Sequence, residues 1–135
     1  MIVVSLAGVH PADGQILLAR RADYVPSGGL WETPGGKIES GESPEQAIQR
    51  EWLEELGVEV YLPRVLDVVR FPDFPESYLV LLGAVLHDIP ARPMTPAITD
   101  IQWVPPAQVF GWGLTPGTRL VLARNLRRIE GLRFE

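Results

Sequence analysis

Residues 34 to 57 carry their own punctuation, and it leaves the chain little freedom there. Pro34-Gly35-Gly36 breaks any regular element, and Glu39-Ser40-Gly41-Glu42 continues the loop. Ser43-Pro44-Glu45-Gln46 then starts a helix with three concordant signals: a serine N-cap, a proline in the first helical position and a glutamine placed to close a capping box. The helix is predicted to run to about Leu56 and to stop at Gly57. At 100° per residue, Ile48, Trp52 and Leu56 form an apolar stripe, while Glu51, Glu54 and Glu55 gather on the opposite side. One face of this helix must seat on a core, and the other must hold three carboxylates together.

The flanking sequence supplies that core. Ile2 to Val9 and Gln15 to Arg21 read as two strands joined by the turn cluster His10-Pro11-Ala12-Asp13-Gly14. Val58 to Leu62, Val65 to Phe71 and Tyr78 to His87 are further β-rich runs, with Pro72-Asp73-Phe74-Pro75 turning between the last two. Ile89 to Pro96 is too rich in proline for regular structure and reads as an exposed loop. Thr99 to Val104 is a short strand, Pro105 to Phe110 a helical turn or two, and Thr115-Pro116 caps a last helix through about Glu130. Strands, helix, strands, helix predict an α/β fold with a mixed sheet flanked by helices. At 135 residues, with no internal repeat, the chain is expected to be one domain, residues 1–135.

Composition narrows the chemistry. Without cysteine there is neither a disulfide scaffold, a thiolate metal site nor a cysteine nucleophile. The longest clean apolar run, Tyr78 to Leu86, is too short to span a bilayer, and the start has no basic signal-peptide region, so no membrane role and a cytoplasmic location are expected. The net charge of −5 opposes nucleic-acid binding. It is unevenly spread: residues 32 to 59 hold eight acids and two bases, and the rest of the chain holds nine acids and ten bases.

Three carboxylates at i, i+3 and i+4 repel one another, and a hard cation that takes oxygen ligands removes that cost. A Glu-rich helix face by itself is usually solvated surface. Here the preceding loop adds Gly35 and Gly36, whose backbone can approach an ion or phosphate closely, as well as Glu42. Arg50 is placed to hold the carboxylates by a bidentate pair.

The spacing Gly36, Glu42, Arg50-Glu51-Trp52, Glu54-Glu55, Gly57-Val58 resembles the Nudix box, here residues 36 to 58, at every defined position. Seven fixed residues would recur by chance in about one sequence in 10⁶. The early hairpin ending in Ala19-Arg20-Arg21, Leu30-Trp31-Glu32 before the glycine turn, a strand ending in Trp103-Val104 and a C-terminal helix are also similar to MutT-like members of that family. The resemblance implies the Nudix fold, an α/β/α sandwich with a mixed sheet between helices. It implies hydrolysis of a nucleoside diphosphate linked to some moiety X with Mg²⁺ or Mn²⁺, most simply of a nucleoside triphosphate to the monophosphate and diphosphate. An ADP-ribose or dinucleoside polyphosphate hydrolase and a non-catalytic nucleotide sensor are the alternatives, and a monomer or homodimer is expected.

Carried onto this chain, the resemblance makes Glu51, Glu54 and Glu55 metal ligands, with Glu51 also the candidate general base. It makes the Gly35 carbonyl a further ligand and Arg50 the residue that orients the glutamates; Glu42 and Gly57 are structural. Some members add a carboxylate from the loop before the Trp-Val strand, but that position falls near Ala97, leaving Asp100, or more remotely Asp88 or Glu76, as substitutes. The family's base-recognising positions, an aromatic residue and an asparagine, fall here on Thr33 and on Gly117 or Thr118. Arg20, Thr33, Gly36, Lys37 and Phe74 are the candidate substrate contacts, Phe74 by stacking a base. Pro72 sits near the spacing of a proline used by ADP-ribose members. His10, His87, Trp31, Trp103 and Trp112 are expected to be bystanders or packing. Arg119, Arg124, Arg127 and Arg128 are read as the solvated face of the last helix.

Overall fold

The computed structural model describes residues 1–71, 74–87 and 90–132, with positions 74 and 75 described by their backbone alone. Among the described residues, seven strands form one mixed sheet around β1 (Ile2–Val9). Along one edge β1 runs parallel to β6 (Phe74–Val85) from Ile2↔Tyr78 to Val9↔Val85, and β6 pairs antiparallel with β5 (Arg64–Phe71). Along the other edge β1 meets β2 (Ile16–Arg21) only at Val9↔Ile16, the base of the hairpin. The two strands then part. β2 takes β7 (Ile98–Val104) on one side and β3 (Trp31–Glu32) on the other. The vacated edge of β1 is filled by β4 (Gly35–Lys37), through Val3↔Lys37, Val4↔Gly36 and Ser5↔Gly35. The sheet is therefore forked, and Thr33-Pro34 links the two tines.

Each face of the fork carries a helix. On one side Ile48, Trp52 and Leu56 of α1 (Pro44–Leu56) pack with Val4, Leu6, Leu17, Ala19, Val80 and Leu82. On the other, Val121, Leu122 and Ile129 of α2 (Pro116–Glu130) pack with Ala7, Val9, Ile16, Leu18, Leu79 and Leu81. Successive residues of β1 and β2 alternate between these two cores, as the period of a strand demands. The expected sandwich of a mixed sheet between helices is the observed one. No helix among the described residues is long and apolar enough to cross a membrane.

α1 follows its local signals closely. The Ser43 side chain accepts from the Gln46 amide (3.1 Å), the Gln46 side chain accepts from the Ser43 amide (2.9 Å), and Gly57 ends the helix at φ +67. Three expectations change. Gly35–Lys37 forms a strand, because the edge that β1 leaves open is available to any extended segment beside it. Val58 to Leu62 is not a strand: Val58 and Val60 are buried against the α1 core, but their backbone meets no partner strand, the Gln49 side-chain amide caps the Val60 carbonyl (2.9 Å), and Leu62 turns at φ +49. Residues 90–96 of the loop after β6 are irregular as expected, residue 89 lying outside the described residues, yet this loop does more than face solvent. Its Met94 and Arg92 amides donate to Glu55 O (2.7 Å) and Leu56 O (3.2 Å), closing the C-terminal end of α1.

Candidate active site

Because Ile48, Trp52 and Leu56 are fully buried, the rotation of α1 is set, and Glu51, Glu54 and Glu55 must emerge on the side that faces β4 and solvent. The Trp52 indole N–H donates to Pro34 O (3.0 Å), which also accepts from the Leu6 amide (3.1 Å), so one carbonyl ties the glycine turn to helix and sheet together. Close approach then requires glycine twice. A Cβ on Gly35 would lie 1.9 Å from the Val4 carbonyl oxygen, and one on Gly36 would lie 2.5 Å from the Glu51 carboxylate. Glu51 is packed beneath the backbone of Gly36.

Arg50 organises the carboxylates around it. It forms a two-armed pair with Glu42, Nε to Oε2 at 2.7 Å and Nη2 to Oε1 at 3.0 Å. Nη1 reaches Glu51 (3.0 Å) and Glu54 (3.4 Å), and Nη2 also donates to the Lys37 carbonyl (3.1 Å). Glu42 accepts a further bond from the Glu39 amide (2.8 Å), and its carboxyl is held below the usual range, first by Arg50 and then by that amide. Arg50 in turn is held more firmly cationic by Glu42.

Glu55 has no such compensation. Burial, the charges of Glu51 and Glu32, and a hydrogen bond shared with Glu51 push its carboxyl up to about 9, opposed by Arg21. Glu32 comes from β3, paired with Arg21 (3.0 and 3.2 Å), and burial raises it in spite of that pair. Glu32 lies outside the helix motif, and its place beside the glutamates is not marked by the local sequence. Its place is set by the alternation of β2 and β3, which turns Arg21 and Glu32 to the α1 side and Arg20 and Trp31 away from it.

Two glutamate side chains in hydrogen-bond contact, one of them pushed up by the other's charge, are a donor set suited to a hard divalent ion. Among the described residues, no three acidic side chains converge as a ready-made metal cage. Glu54 is 62% exposed and is drawn to Arg50. Glu51 and Glu55 are thus the glutamates that meet, with Glu54 at the outer edge.

A cavity of about 470 Å³ opens where the sheet forks. Arg21, Glu32, Gly36 and Lys37 line it beside the carboxylates, and Phe71, Leu79 and the start of α2 line it on the other side. Thr33 and Thr118, 85 residues apart, meet in its wall: the Thr33 amide donates to Thr118 Oγ1 (3.2 Å), and the two hydroxyls lie 3.4 Å apart. Gly35, Gly36, Lys37 and Thr33 are therefore brought together as cavity lining.

Arg20 is not. It bonds Thr99 (3.2 Å) and faces Asp23 (3.7 Å), while its neighbour Arg21 takes the place at the cavity, because adjacent strand residues point to opposite faces. Asp100 pairs across from Arg20 on the face away from α1, caps the Ile101 amide (2.8 Å) and stands outside the cavity lining. Glu76 is exposed on β6 and also stands outside that lining. The side chain of Phe74 and residues Pro72 and Asp88 lie outside the described residues; the backbone of Phe74 begins β6 instead of occupying the turn. His10 packs edge-on against Trp103 (4.9 Å), and Trp31 against Trp112 (4.8 Å). On α2, Arg124 and Arg128 are more than a solvated face: they bond Asp67 (2.8 Å) and the Leu66 carbonyl (3.1 Å) of β5.

The NUDIX domain model matches residues 1–124, and the chain belongs to that family, whose hydrolases generally need divalent metal ions. The chain is 44% identical over 66 residues to the 8-oxo-dGTP diphosphatase of Proteus vulgaris, a match covering 49% of this chain and 58% of that one. It is 50% identical over 54 residues to the CTP pyrophosphohydrolase of Escherichia coli strain K12, covering 40% of each. The chain thus spans about half the length of these curated relatives. Its fold superposes with a TM-score of 0.79 on a MutT structure from work on the Aliivibrio salmonicida and Vibrio cholerae proteins, at 25% identity over 93% of this chain and 96% of that one.

Proposed function

We propose that this protein is a MutT-like pyrophosphohydrolase that cleaves a phosphoanhydride bond of a nucleoside triphosphate, releasing the monophosphate and diphosphate. The observation that carries the reading is Gly36, which lines the cavity and at the same time lies against the Glu51 carboxylate, so a nucleoside in the cavity would present its phosphates to the glutamate ridge. The residues proposed to hold Mg²⁺, or the similarly hard Mn²⁺, are Glu51, Glu55, Glu54 and the Gly35 carbonyl. When bound, such an ion neutralises the polyphosphate and acidifies water for attack on phosphorus. Arg50 orients Glu51 and Glu54 for that task, and Glu51 is the carboxylate proposed to take the proton. Arg21 and Lys37 bring positive charge to the phosphate-bearing side.

The two curated relatives act on a purine and a pyrimidine nucleotide, so neither base carries over to this chain. The proposal includes a single domain, residues 1–135, working in the cytoplasm as a monomer or homodimer. The test is a panel of 8-oxo-dGTP, dGTP, CTP, ADP-ribose and a dinucleoside polyphosphate, each with Mg²⁺ and with products resolved. Monophosphate and diphosphate from at least one triphosphate are expected. Turnover confined to ADP-ribose or the dinucleotide overturns the substrate reading, and tight binding without turnover identifies a sensor instead.

A further inference from the structure

Ser5 sits in β1 between Val3 and Ala7 on the face that looks toward α2. It is 6% exposed, it lines the cavity, and its Oγ is the buried side-chain atom that finds no hydrogen-bond partner among the described residues. Buried hydroxyls are almost always satisfied, so an orphaned one in a cavity wall needs a reason. The fold supplies none: the backbone of Ser5 pairs with Gly35 and Leu81, which alanine would do equally well. Around the same cavity, the hydroxyls of Thr33 and Thr118 are engaged with each other, the Thr118 amide is taken by Thr115 (3.4 Å), and Phe71 and Leu79 supply apolar wall. Its volume suits a small-molecule site.

We propose that Ser5 contacts the substrate: its hydroxyl, turned into the cavity by rotation about χ1, hydrogen-bonds the polar edge of the nucleobase. Staggered serine rotamers exchange at little cost, and a hydroxyl both donates and accepts, so it serves a carbonyl edge and an amino edge alike. The assignment rests on the nucleotide reading above.

The experiment compares the full chain with Ser5→Ala and Ser5→Thr by steady-state kinetics on 8-oxo-dGTP, dGTP and CTP with Mg²⁺, together with thermal unfolding of the nucleotide-free proteins. Ser5→Ala is expected to raise KM about 5- to 10-fold for each nucleotide that is turned over, with the smaller effect on kcat. Its melting temperature should equal or exceed that of the unsubstituted protein, because an unsatisfied polar atom has been removed. Ser5→Thr, which keeps the hydroxyl, should stay within about 2-fold of the original KM. An unchanged KM in Ser5→Ala overturns the assignment and leaves the nucleotide reading standing. Absence of turnover and of binding in the unsubstituted protein overturns both.

Discussion

Arg50 and Glu42, eight residues apart, are joined by two parallel hydrogen bonds of 2.7 and 3.0 Å, and the same guanidinium reaches Glu51 at 3.0 Å. The pair ties the loop before α1 to the face of the helix and aims Glu51. Lysine keeps the charge but has no planar fork, and its three donors cannot replace the five bonds that Arg50 makes to Glu42, Glu51, Glu54 and the Lys37 carbonyl. Arg50→Lys should therefore lower kcat/KM about 10- to 100-fold, the range for losing a residue that orients a metal ligand, with far-UV circular dichroism unchanged. Full activity in Arg50→Lys would show that charge alone suffices.

Glu55 is a half-buried carboxylate raised by the charges of Glu51 and Glu32, with Arg21 opposing them only in part. Glu55→Gln takes the acid out of that cluster at nearly the same size, so the melting temperature of the metal-free protein should hold or rise while hydrolysis falls by at least about 100-fold. Adding a chelator to the unsubstituted protein should abolish turnover without unfolding it, since α1 is seated by Ile48, Trp52 and Leu56, and excess Mg²⁺ should restore the rate. A Glu55→Gln variant with normal activity and Mg²⁺ dependence would remove this residue from the metal site.

Trp52 is fully buried, and its indole shares the Pro34 carbonyl with the Leu6 amide. Trp52→Ala should cost about 3–5 kcal/mol in urea unfolding. Trp52→Phe keeps most of the volume and loses the indole bond, so it should cost about 1 kcal/mol, and its larger effect should be on turnover, because the glycine turn above Glu51 is released.

Asp67 on β5 is held at about 2, first by Arg124 and then by Asn125 and the Val68 amide, with burial opposing. A carboxyl lowered in the folded state stabilises the protein above its unfolded value near 4, and that stabilisation is lost as pH falls from about 4 toward 2. Arg124 is half exposed, so the amount is about 1–2 kcal/mol after allowance for screening by solvent. Urea midpoints measured between pH 2 and 5 should fall with acidification, and in Asp67→Asn the slope should be shallower by that amount. Parallel curves for the two proteins would exclude the pair as a source of acid sensitivity.

α1 was legible almost to the residue because its limits are local. A serine hydroxyl, a proline ring and a left-handed glycine act within one turn of where they stand, and the apolar stripe specifies which side of the helix goes down. The three glutamates and Arg50 could be grouped for the same reason. β4 was not legible, since two glycines have no strand preference of their own and pair only because β2 turns away from β1 beyond Val9 and Ile16. Val58 to Leu62 failed in the opposite sense: its residues favour a strand, but Val58 and Val60 are drawn down into the α1 core and Leu62 turns at φ +49, so the segment pairs with no strand.

The same division runs through the candidate site. The sequence by itself determined a capped helix that presents Glu51, Glu54 and Glu55 behind a double-glycine turn, because those relations span less than 25 residues of continuous chain. Only the tertiary structure decided that Arg21 and not Arg20 faces the cavity, that the charge of Glu32 reaches Glu55, and that Thr33 meets Thr118 across 85 residues. Those outcomes depend on strand register and on the fork in the sheet. Register is set by the sum of packing on both faces, and shifting a strand by one residue exchanges every side chain on it between core and site.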